Sequence, residues 1–211
     1  MTYSVKEIFY TLQGEGCQTG SAAVFLRFSG CNLWTGLERD RSSAICQFCD
    51  TDFVGTDGTL GGKYKTADSL AALIAAQWPN DDHAARLVVC TGGEPLLQLD
   101  TPLIQALHVQ GFRIAVETNG TVAAPEGIDW ICVSPKSGAP LNQTSGDELK
   151  LVFPQPHAMP DQFENLAFTH FFLQAMDGPA QSDNLARATQ YCMDHPKWRL
   201  SLQTHKLIGI R

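Results

Sequence analysis

Residues 30–52 read GCNLWTGLERDRSSAICQFCDTD and contain three of the seven cysteines of the chain. Fourteen residues separate Cys31 from Cys46, and two separate Cys46 from Cys49. Two thiolates spaced like Cys46 and Cys49 can reach one metal centre, and Cys31 can join them if the intervening segment loops out. A closed zinc site requires four ligands, whereas three thiolates leave one iron of a 4Fe-4S cluster open. The stretch therefore predicts a metal centre with an open position, and unrelated thiols are the other interpretation.

The composition is that of an ordinary globular protein. The 211 residues are 44% hydrophobic and 18% charged; no linker-like stretch divides them, so we expect one domain over residues 1–211. The net charge of -7 disfavours nucleic-acid binding. No apolar run approaches the roughly 20 residues of a membrane helix, and residues 1–7 lack a signal-peptide pattern. We therefore expect a cytoplasmic protein with reduced cysteines.

The chain alternates short apolar runs with amphipathic segments. Helical spacing predicts helices over residues 67–78, 101–110 and 184–193, the first of them capped by Thr66. Four glycines predict a loop over residues 55–62. Apolar runs predict strands over residues 5–12, 22–29, 86–90, 112–116, 129–133, 149–153, 169–173 and 199–202. This order is typical of a largely parallel sheet covered by helices.

Polar or glycine-containing clusters follow nearly every predicted strand. Because the carboxyl ends of parallel strands meet at one edge, these clusters are candidates for one shared site. A complete eight-unit barrel typically takes about 250 residues, and some of the crossovers here are too short for a full helix. We therefore predict an α/β fold with an incomplete, partly reduced TIM-like barrel of mostly parallel strands.

Several of these clusters have two interpretations. Arg27, inside an apolar run, is either one half of a structural ion pair or an anion-binding group. Residues 13–16 (QGEG) and 91–95 (TGGEP) bring the backbone close to a ligand or form ordinary turns. Residues 50–52 (DTD) offer oxygen ligands to a cation such as magnesium or form a solvated turn. These alternatives stay open on spacing alone.

Three further residues carry weaker signals. Cys90 and Cys132 lie within apolar runs, so we expect both to be small core residues. His205 is either a proton carrier or a wall of the site, and we favour the wall.

The cysteine loop after the first barrel strand and Gly92-Gly93-Glu94 after the second resemble the radical S-adenosylmethionine (SAM) superfamily. The resemblance implies a 4Fe-4S cluster on Cys31, Cys46 and Cys49 whose open iron binds SAM. The first cysteine gap is longer than the three residues of most members, so the cluster-binding loop at residues 31–49 is a modified one.

Nearly the whole chain resembles the 7-carboxy-7-deazaguanine synthase family, through the sequences at residues 12–16, 30–34, 48–52, 91–95, 117–120, 134–136 and 205–206 and through Arg27. The resemblance implies a magnesium ion at Thr51. It places SAM on Gln47, Phe48, Cys49, Asp50, Gly93, Glu94, Glu117, Ser134, Pro135, Lys136, Gln174, Ala175, Met176 and Asp177. It places a pterin substrate on Leu12, Gln13, Gly14, Glu15, Arg27, Thr91, His205 and Arg211.

The function that this resemblance implies is a magnesium-dependent lyase reaction of queuosine and deazapurine biosynthesis. Ring contraction of 6-carboxy-5,6,7,8-tetrahydropterin gives 7-carboxy-7-deazaguanine with loss of ammonia. The resemblance also implies a homodimer and a small flavodoxin-type electron donor. Two alternatives remain: a radical SAM activase of a partner protein, which would give no role to Arg27, and a non-enzymatic zinc module with Asp50 or a histidine as fourth ligand.

Overall fold

The computed structural model describes residues 2–79 and 86–211. Its strands are β1 (Tyr3–Leu12), β2 (Ala22–Phe28), β3 (Gly62–Tyr64), β4 (Leu87–Gly92), β5 (Arg113–Thr118), β6 (Trp130–Val133), β7 (Ser145–Phe153), β8 (Ala167–Ala175) and β9 (Trp198–Ser201). Its helices are α1 (Ala67–Ala75), α2 (Thr101–Val109), α3 (Gln181–Asp194) and α4 (Thr204–Ile208). None of the helices in these two ranges is both long and apolar enough to cross a membrane.

Across the described residues, the strands form one sheet in the order β3-β1-β2-β4-β5-β6-β7-β8-β9. Strand β2 and strands β4 to β9 pair in parallel, and β1 pairs antiparallel with both β2 and β3. Strands β3 and β9 are the two edges, so the sheet is not closed. The prediction of an α/β fold with an incomplete, mostly parallel barrel is confirmed.

The sheet curls until β9 approaches the β1–β2 loop. The amide of Gly16 donates to Ser201 Oγ at 3.0 Å, and the amide of Thr204, at the start of α4, donates to the carbonyl of Gly14 at 2.9 Å. A Cβ atom on Gly14 would lie 2.2 Å from Nδ1 of His205, so this contact requires glycine. Helix α4 therefore packs across the gap between the two ends of the barrel.

Two apolar clusters cover the outer face of the sheet. One joins β1, β2, β4 and β5 to α1 and α2, and the other joins β7, β8 and β9 to α3. Ile131 of β6 packs against both clusters. The opposite face carries a small apolar cluster of Ala23, Leu87, Val89 and Ala115. This inner cluster lies toward the amino ends of the strands, which leaves the carboxyl ends free for polar side chains.

The crossovers explain how 211 residues suffice for this fold. Within the described chain, the connections from β5 to β6 and from β6 to β7 contain no helix, and that from β7 to β8 contains one 3₁₀ turn, Pro160–Phe163. Thr66 caps α1 as predicted, since its Oγ1 accepts from the amide of Ser69 at 3.2 Å. The predicted end of α1 at residue 78 is wrong, because the helix ends at Ala75.

Other boundaries also differ from the prediction. Strand β7 begins at Ser145, before the apolar run, and α3 begins at Gln181. The three-residue strand β3 and the five-residue helix α4 were not predicted. Segments of this length show too little periodicity to be recognised, and both form through contacts with distant parts of the chain.

Candidate active site

Two adjoining cavities open at the carboxyl ends of the strands. One has a volume of about 260 Å³ and the other about 180 Å³, and both are lined by Glu15, Asp50, Thr51, Glu117 and Gln203. We call the larger the pterin-side cavity, after the substrate that the family resemblance implies, and the smaller the cysteine-side cavity. The pterin-side cavity is lined by all the residues of the predicted substrate site, namely Leu12, Gln13, Gly14, Glu15, Arg27, Thr91, His205 and Arg211.

A buried lysine organises the boundary between the two cavities. Lys150 extends from β7, and its Nζ lies 2.7 Å from Glu15 Oε2 and 2.8 Å from Glu117 Oε2. Gln13 Nε2 donates to the other oxygen of Glu117 at 3.2 Å. Burial opposes the ionisation of Glu15, but Lys150, with help from Gln203, holds the pKa of Glu15 at about 2. The boundary thus carries two carboxylates on one ammonium group.

Arg27 points its charge into the pterin-side cavity. Its Nε donates to Glu7 Oε1 at 2.9 Å, and Arg211 pairs with the other oxygen of Glu7. No further hydrogen bond of the Arg27 guanidinium occurs among the described residues. Phe9 and Phe25 stack beside it with ring centroids 5.4 Å apart. Arg27 is therefore one half of an ion pair, and it keeps further donors on the cavity wall.

Helix α4 and the residue before it connect the loops that surround the two cavities. Lys206 Nζ lies 2.7 Å from Asp50 Oδ2 and 2.6 Å from Asp177 Oδ2, so it links the cysteine loop to the end of β8. Gln203 Nε2 donates to Glu15 Oε1 at 3.0 Å and to Asp50 Oδ2 at 3.2 Å. These bonds join three strand-end loops over the two cavities.

The three predicted thiols meet in the cysteine-side cavity. Cys31, Cys46 and Cys49 all line it. Residues 32–45 turn back through the 3₁₀ segment Glu38–Ser43, and the amides of Ile45 and Cys46 donate to the carbonyl of Leu33 at 3.2 and 3.4 Å. The prediction that this insertion returns Cys31 to the other two cysteines agrees with this geometry.

The thiols differ in their acidity. A hydrogen bond from Cys46 lowers the pKa of Cys49 to about 6, whereas burial raises the pKa of Cys31. The described residues contain no group of three His, Cys, Asp or Glu side chains placed to hold one metal ion. All three thiols line one cavity, as a multi-iron cluster with three thiolate ligands requires.

Lys136 is the second unusual charge of the cysteine-side cavity. Its Nζ donates to the carbonyl and Oγ of Ser134 at 2.6 and 2.7 Å and lies 6.0 Å from the Phe48 ring centroid. Burial lowers the pKa of Lys136, and its ammonium group makes no ion pair among the described residues. A half-buried cation without an acidic partner fits an anionic group of a ligand.

Gly92 and Gly93 are required by packing against the cysteine loop. A Cβ atom on Gly92 would lie 2.2 Å from the carbonyl oxygen of Phe28, and one on Gly93 would lie 2.0 Å from that of Gly30. The neighbouring amide of Glu94 donates to the carbonyl of Gly30 at 3.0 Å. The Gly-Gly-Glu sequence therefore holds the end of β4 against the start of the cysteine loop.

Comparison with known proteins shows the family to which the chain belongs. No protein-family model matches the chain. It is 66% identical to the 7-carboxy-7-deazaguanine synthase of Caulobacter vibrioides over 213 residues and 66% identical to that of Bordetella pertussis over 210 residues, with 100% of each chain covered in both cases. The chain belongs to the 7-carboxy-7-deazaguanine synthase family. The crystal structure of QueE from Escherichia coli matches with a TM-score of 0.71 and 27% identity, covering 96% of this chain and 94% of that one.

For this 7-carboxy-7-deazaguanine synthase family member, most of the predicted SAM residues line the cysteine-side cavity. They are Phe48, Cys49, Asp50, Gly93, Glu117, Ser134, Lys136, Gln174, Ala175 and Asp177. Gln47, Glu94, Pro135 and Met176 do not line it. Glu94 is fully buried and accepts hydrogen bonds from Thr118 Oγ1 and the amides of Asn119 and Leu96 at 2.8 to 2.9 Å. The carboxylate of Glu94 therefore holds the ends of β4 and β5 together.

Several residues of the site in this family member were not predicted. Glu7, Phe9, Phe25 and Gln203 line the pterin-side cavity, and Lys150 lines the cysteine-side cavity. The alternation of Glu148 and Lys150 with apolar residues in β7 was an available signal for inward-facing charges. Which partner each charge meets depends on strands far away in the sequence.

Both predicted core cysteines are buried, and they differ in what surrounds them. Cys90 is fully buried in the apolar cluster under α1 and α2, as predicted. Cys132 is also buried, but its Sγ donates to Glu148 Oε1 at 3.5 Å and it lies on the inner face beside Lys150. The apolar appearance of β6 concealed this environment, because only every second residue of a strand faces outward.

Proposed function

We propose that this protein converts 6-carboxy-5,6,7,8-tetrahydropterin to 7-carboxy-7-deazaguanine with loss of ammonia, in queuosine biosynthesis, with a 4Fe-4S cluster, SAM and Mg²⁺. The observation that supports it is the shared wall between a cavity with three thiols and a cavity with Arg27 and two carboxylates. A cofactor and a small acidic heterocycle bound there would face each other directly. The name of the family, 7-carboxy-7-deazaguanine synthase, indicates the same activity.

In this proposal Cys31, Cys46 and Cys49 hold the cluster. The cluster, with SAM, supplies the one-electron chemistry that forms the initiating radical. Lys136 and the residues at the ends of β6 and β8 bind SAM in the cysteine-side cavity. The hydroxyl of Thr51, which makes no hydrogen bond among the described residues and borders both cavities, contributes an oxygen ligand to Mg²⁺.

The pterin-side cavity binds and orients the substrate. The free donors of Arg27 bind the substrate carboxylate, and Glu15 and Glu117 accept hydrogen bonds from ring N–H groups. Lys150 holds both carboxylates in place for this purpose. The stacked pair of Phe9 and Phe25 forms an apolar wall. Helix α4 excludes water from the site, so the radical is shielded from side reactions.

A turnover assay on the anaerobically reconstituted protein tests the proposal. With SAM, Mg²⁺, a chemical reductant and 6-carboxytetrahydropterin, we expect equimolar ammonia and 7-carboxy-7-deazaguanine. Cys49→Ala is the inactive control. A protein with a full cluster that yields neither product would contradict the proposal. An activase would instead form a radical on a partner polypeptide, and it would give no role to the free donors of Arg27.

Four further features belong to the proposal. We propose a single domain, because the strands of the described chain share one sheet. We also propose a homodimer, a small flavodoxin-type electron donor and a cytoplasmic location, as the family resemblance implies. Sedimentation of the reconstituted protein, and reduction of the cluster by flavodoxin, test the two partners.

A further inference from the structure

Arg41 lies in the insertion between Cys31 and Cys46, and its guanidinium contacts three different parts of the cysteine loop. Nη1 donates to the backbone carbonyls of Gln47 and Cys49 at 2.9 and 3.1 Å. Nε and Nη2 donate to the two carboxylate oxygens of Glu38 at 2.8 and 2.5 Å. Cζ lies 4.0 Å from the ring centroid of Trp34.

These contacts join the two halves of the thiol set. Trp34 follows Cys31 by three residues and is anchored in the protein, since it is only 7% exposed and packs edge-on against Phe53 at 5.6 Å. Gln47 and Cys49 belong to the short segment that carries the other two thiols. Arg41 therefore connects the chain that leaves Cys31 directly to the chain that ends at Cys49.

The other connections join the ends of the insertion at its base or reach the chain after Cys49, where the carbonyl of Phe53 accepts from the amide of Gly30 at 3.1 Å. The amides of Ile45 and Cys46 donate to Leu33, but neither bond extends to Cys49. A closed loop of this length has many conformations unless a contact restricts it. The planar fork of an arginine can bind two carbonyls, a carboxylate and an aromatic face together, which a lysine ammonium cannot do.

We propose that Arg41 is the positioning residue that holds Cys31 and the Cys46–Cys49 pair at the separation required by a 4Fe-4S cluster. It acts through the backbone of the thiol-bearing segment and does not touch the substrate. The inference rests on the proposed function, because it assigns a role toward the cluster. It also explains how the family resemblance survives an unusually long first cysteine gap.

The test compares Arg41→Lys and Arg41→Met with Arg39→Met. Arg39 lies in the same insertion, but it is 80% exposed and its side chain contacts only Asp40, at 3.6 Å, among the described residues. Each protein is reconstituted anaerobically, and the rate of iron transfer to a chelator is measured. We expect both Arg41 variants to lose iron about 10- to 100-fold faster than wild type, and Arg39→Met to match wild type. Arg41→Lys keeps the positive charge, so faster iron loss from this variant would show that the planar geometry of the guanidinium is required.

Two further measurements separate positioning from folding. The electron paramagnetic resonance spectrum of the reduced cluster should change in Arg41→Lys, while the unfolding temperature of the cluster-free protein should equal that of Arg39→Met. Equal iron-loss rates for the Arg41 and Arg39 variants would overturn the inference, as would an Arg41-specific loss of cluster-free stability. Wild-type protein that holds no cluster after reconstitution would instead contradict the proposed function.

Discussion

The pterin-side and cysteine-side cavities share a wall but differ in how their charges are balanced. In the pterin-side cavity nearly every charge has a partner: Glu15 and Glu117 pair with Lys150 at the boundary, Glu7 with two guanidinium groups, and Lys206 with two aspartates. In the cysteine-side cavity the ammonium group of Lys136 makes no ion pair with a carboxylate within residues 2–79 and 86–211. One cavity is organised before it binds a ligand, whereas the other depends on its cofactors to balance its charge.

Removing a thiol tests the cysteine-side half of this comparison and has the largest expected effect. We expect Cys31→Ala, Cys46→Ala and Cys49→Ala each to abolish turnover, because a cluster with two protein ligands is not retained. Iron content and product formation measure the outcome. Cys192→Ala, on α3 outside both cavities, is the matched control. A thiol variant with full iron content and turnover would show that the cluster lies elsewhere.

Lys150→Met tests whether the carboxylates of the pterin-side cavity depend on the ammonium group at the boundary between the two cavities. The change leaves Glu15 and Glu117, whose side chains are only 19% and 21% exposed, without their ammonium partner, so we expect a loss of about 3–5 kcal/mol in the free energy of unfolding near neutral pH. Denaturant unfolding of the cluster-free protein measures it. Lys65→Met, at an exposed lysine, is the control. A loss below about 1 kcal/mol, the size of an exposed pair, would mean that these ion pairs do not organise the cavity.

In acid, the contribution of Glu15 to the free energy of unfolding should change in opposite directions in wild type and in Lys150→Met. In wild type the pKa of Glu15 is lowered from 4.5 to about 2, so its stabilising contribution is complete above pH 4.5 and is lost as the pH falls toward 2. In Lys150→Met the ammonium group no longer opposes burial, the largest influence on Glu15, so we expect its pKa to rise above 4.5 and the group to gain stability as acid protonates it. The stability deficit of the variant should therefore shrink from about pH 7 to about pH 5. A deficit that stays constant or grows would contradict this account.

Arg27→Gln tests whether the free donors of the pterin-side cavity bind the substrate. A charge-assisted hydrogen bond contributes about 1.5–3 kcal/mol, so we expect the KM for 6-carboxytetrahydropterin to rise roughly 10- to 100-fold. Glu7 keeps Arg211 as a partner, so the fold should tolerate the change. A tetrahydropterin without the carboxylate serves as the control, since its inhibition constant should not change. An equal loss of affinity for both pterins would assign Arg27 a structural role.

Lys206→Met tests the contacts of α4 and has the smallest expected effect. Both ion pairs of Lys206 are about one-third exposed, so each contributes about 0.2–1 kcal/mol at low salt and less at high salt. Unfolding of Lys206→Met and wild type at both salt concentrations measures this difference. A large loss that salt does not change would show that α4 is part of the core.

The residues that line the site are easier to predict from the sequence than the residues that hold them in place. The thiols, Arg27 and the loops at the strand ends are recognisable, because each carries an unusual residue type at a position that parallel strands bring together. Lys150, Gln203 and Arg41 carry no motif, and their roles depend on partners far away in the sequence or on the course of an irregular loop. Glu94 shows the opposite case, a residue of a recognisable motif with a supporting role. It is fully buried, and its carboxylate accepts hydrogen bonds from within the protein.

Strand β6 has a consequence for the dynamics of the barrel. It is four residues long, no helix lies in the described connections on either side of it, and Ile131 packs against both outer apolar clusters. The cysteine loop belongs to the side of β1–β5, while Lys150 and the end of β8 belong to the other side. Strands β6 and β7 register at only two residue pairs, the fewest between neighbouring strands of the described chain, so we expect the sheet to loosen along β6 first. The amide hydrogens of β6 should accordingly exchange with solvent before those of β4 and β8.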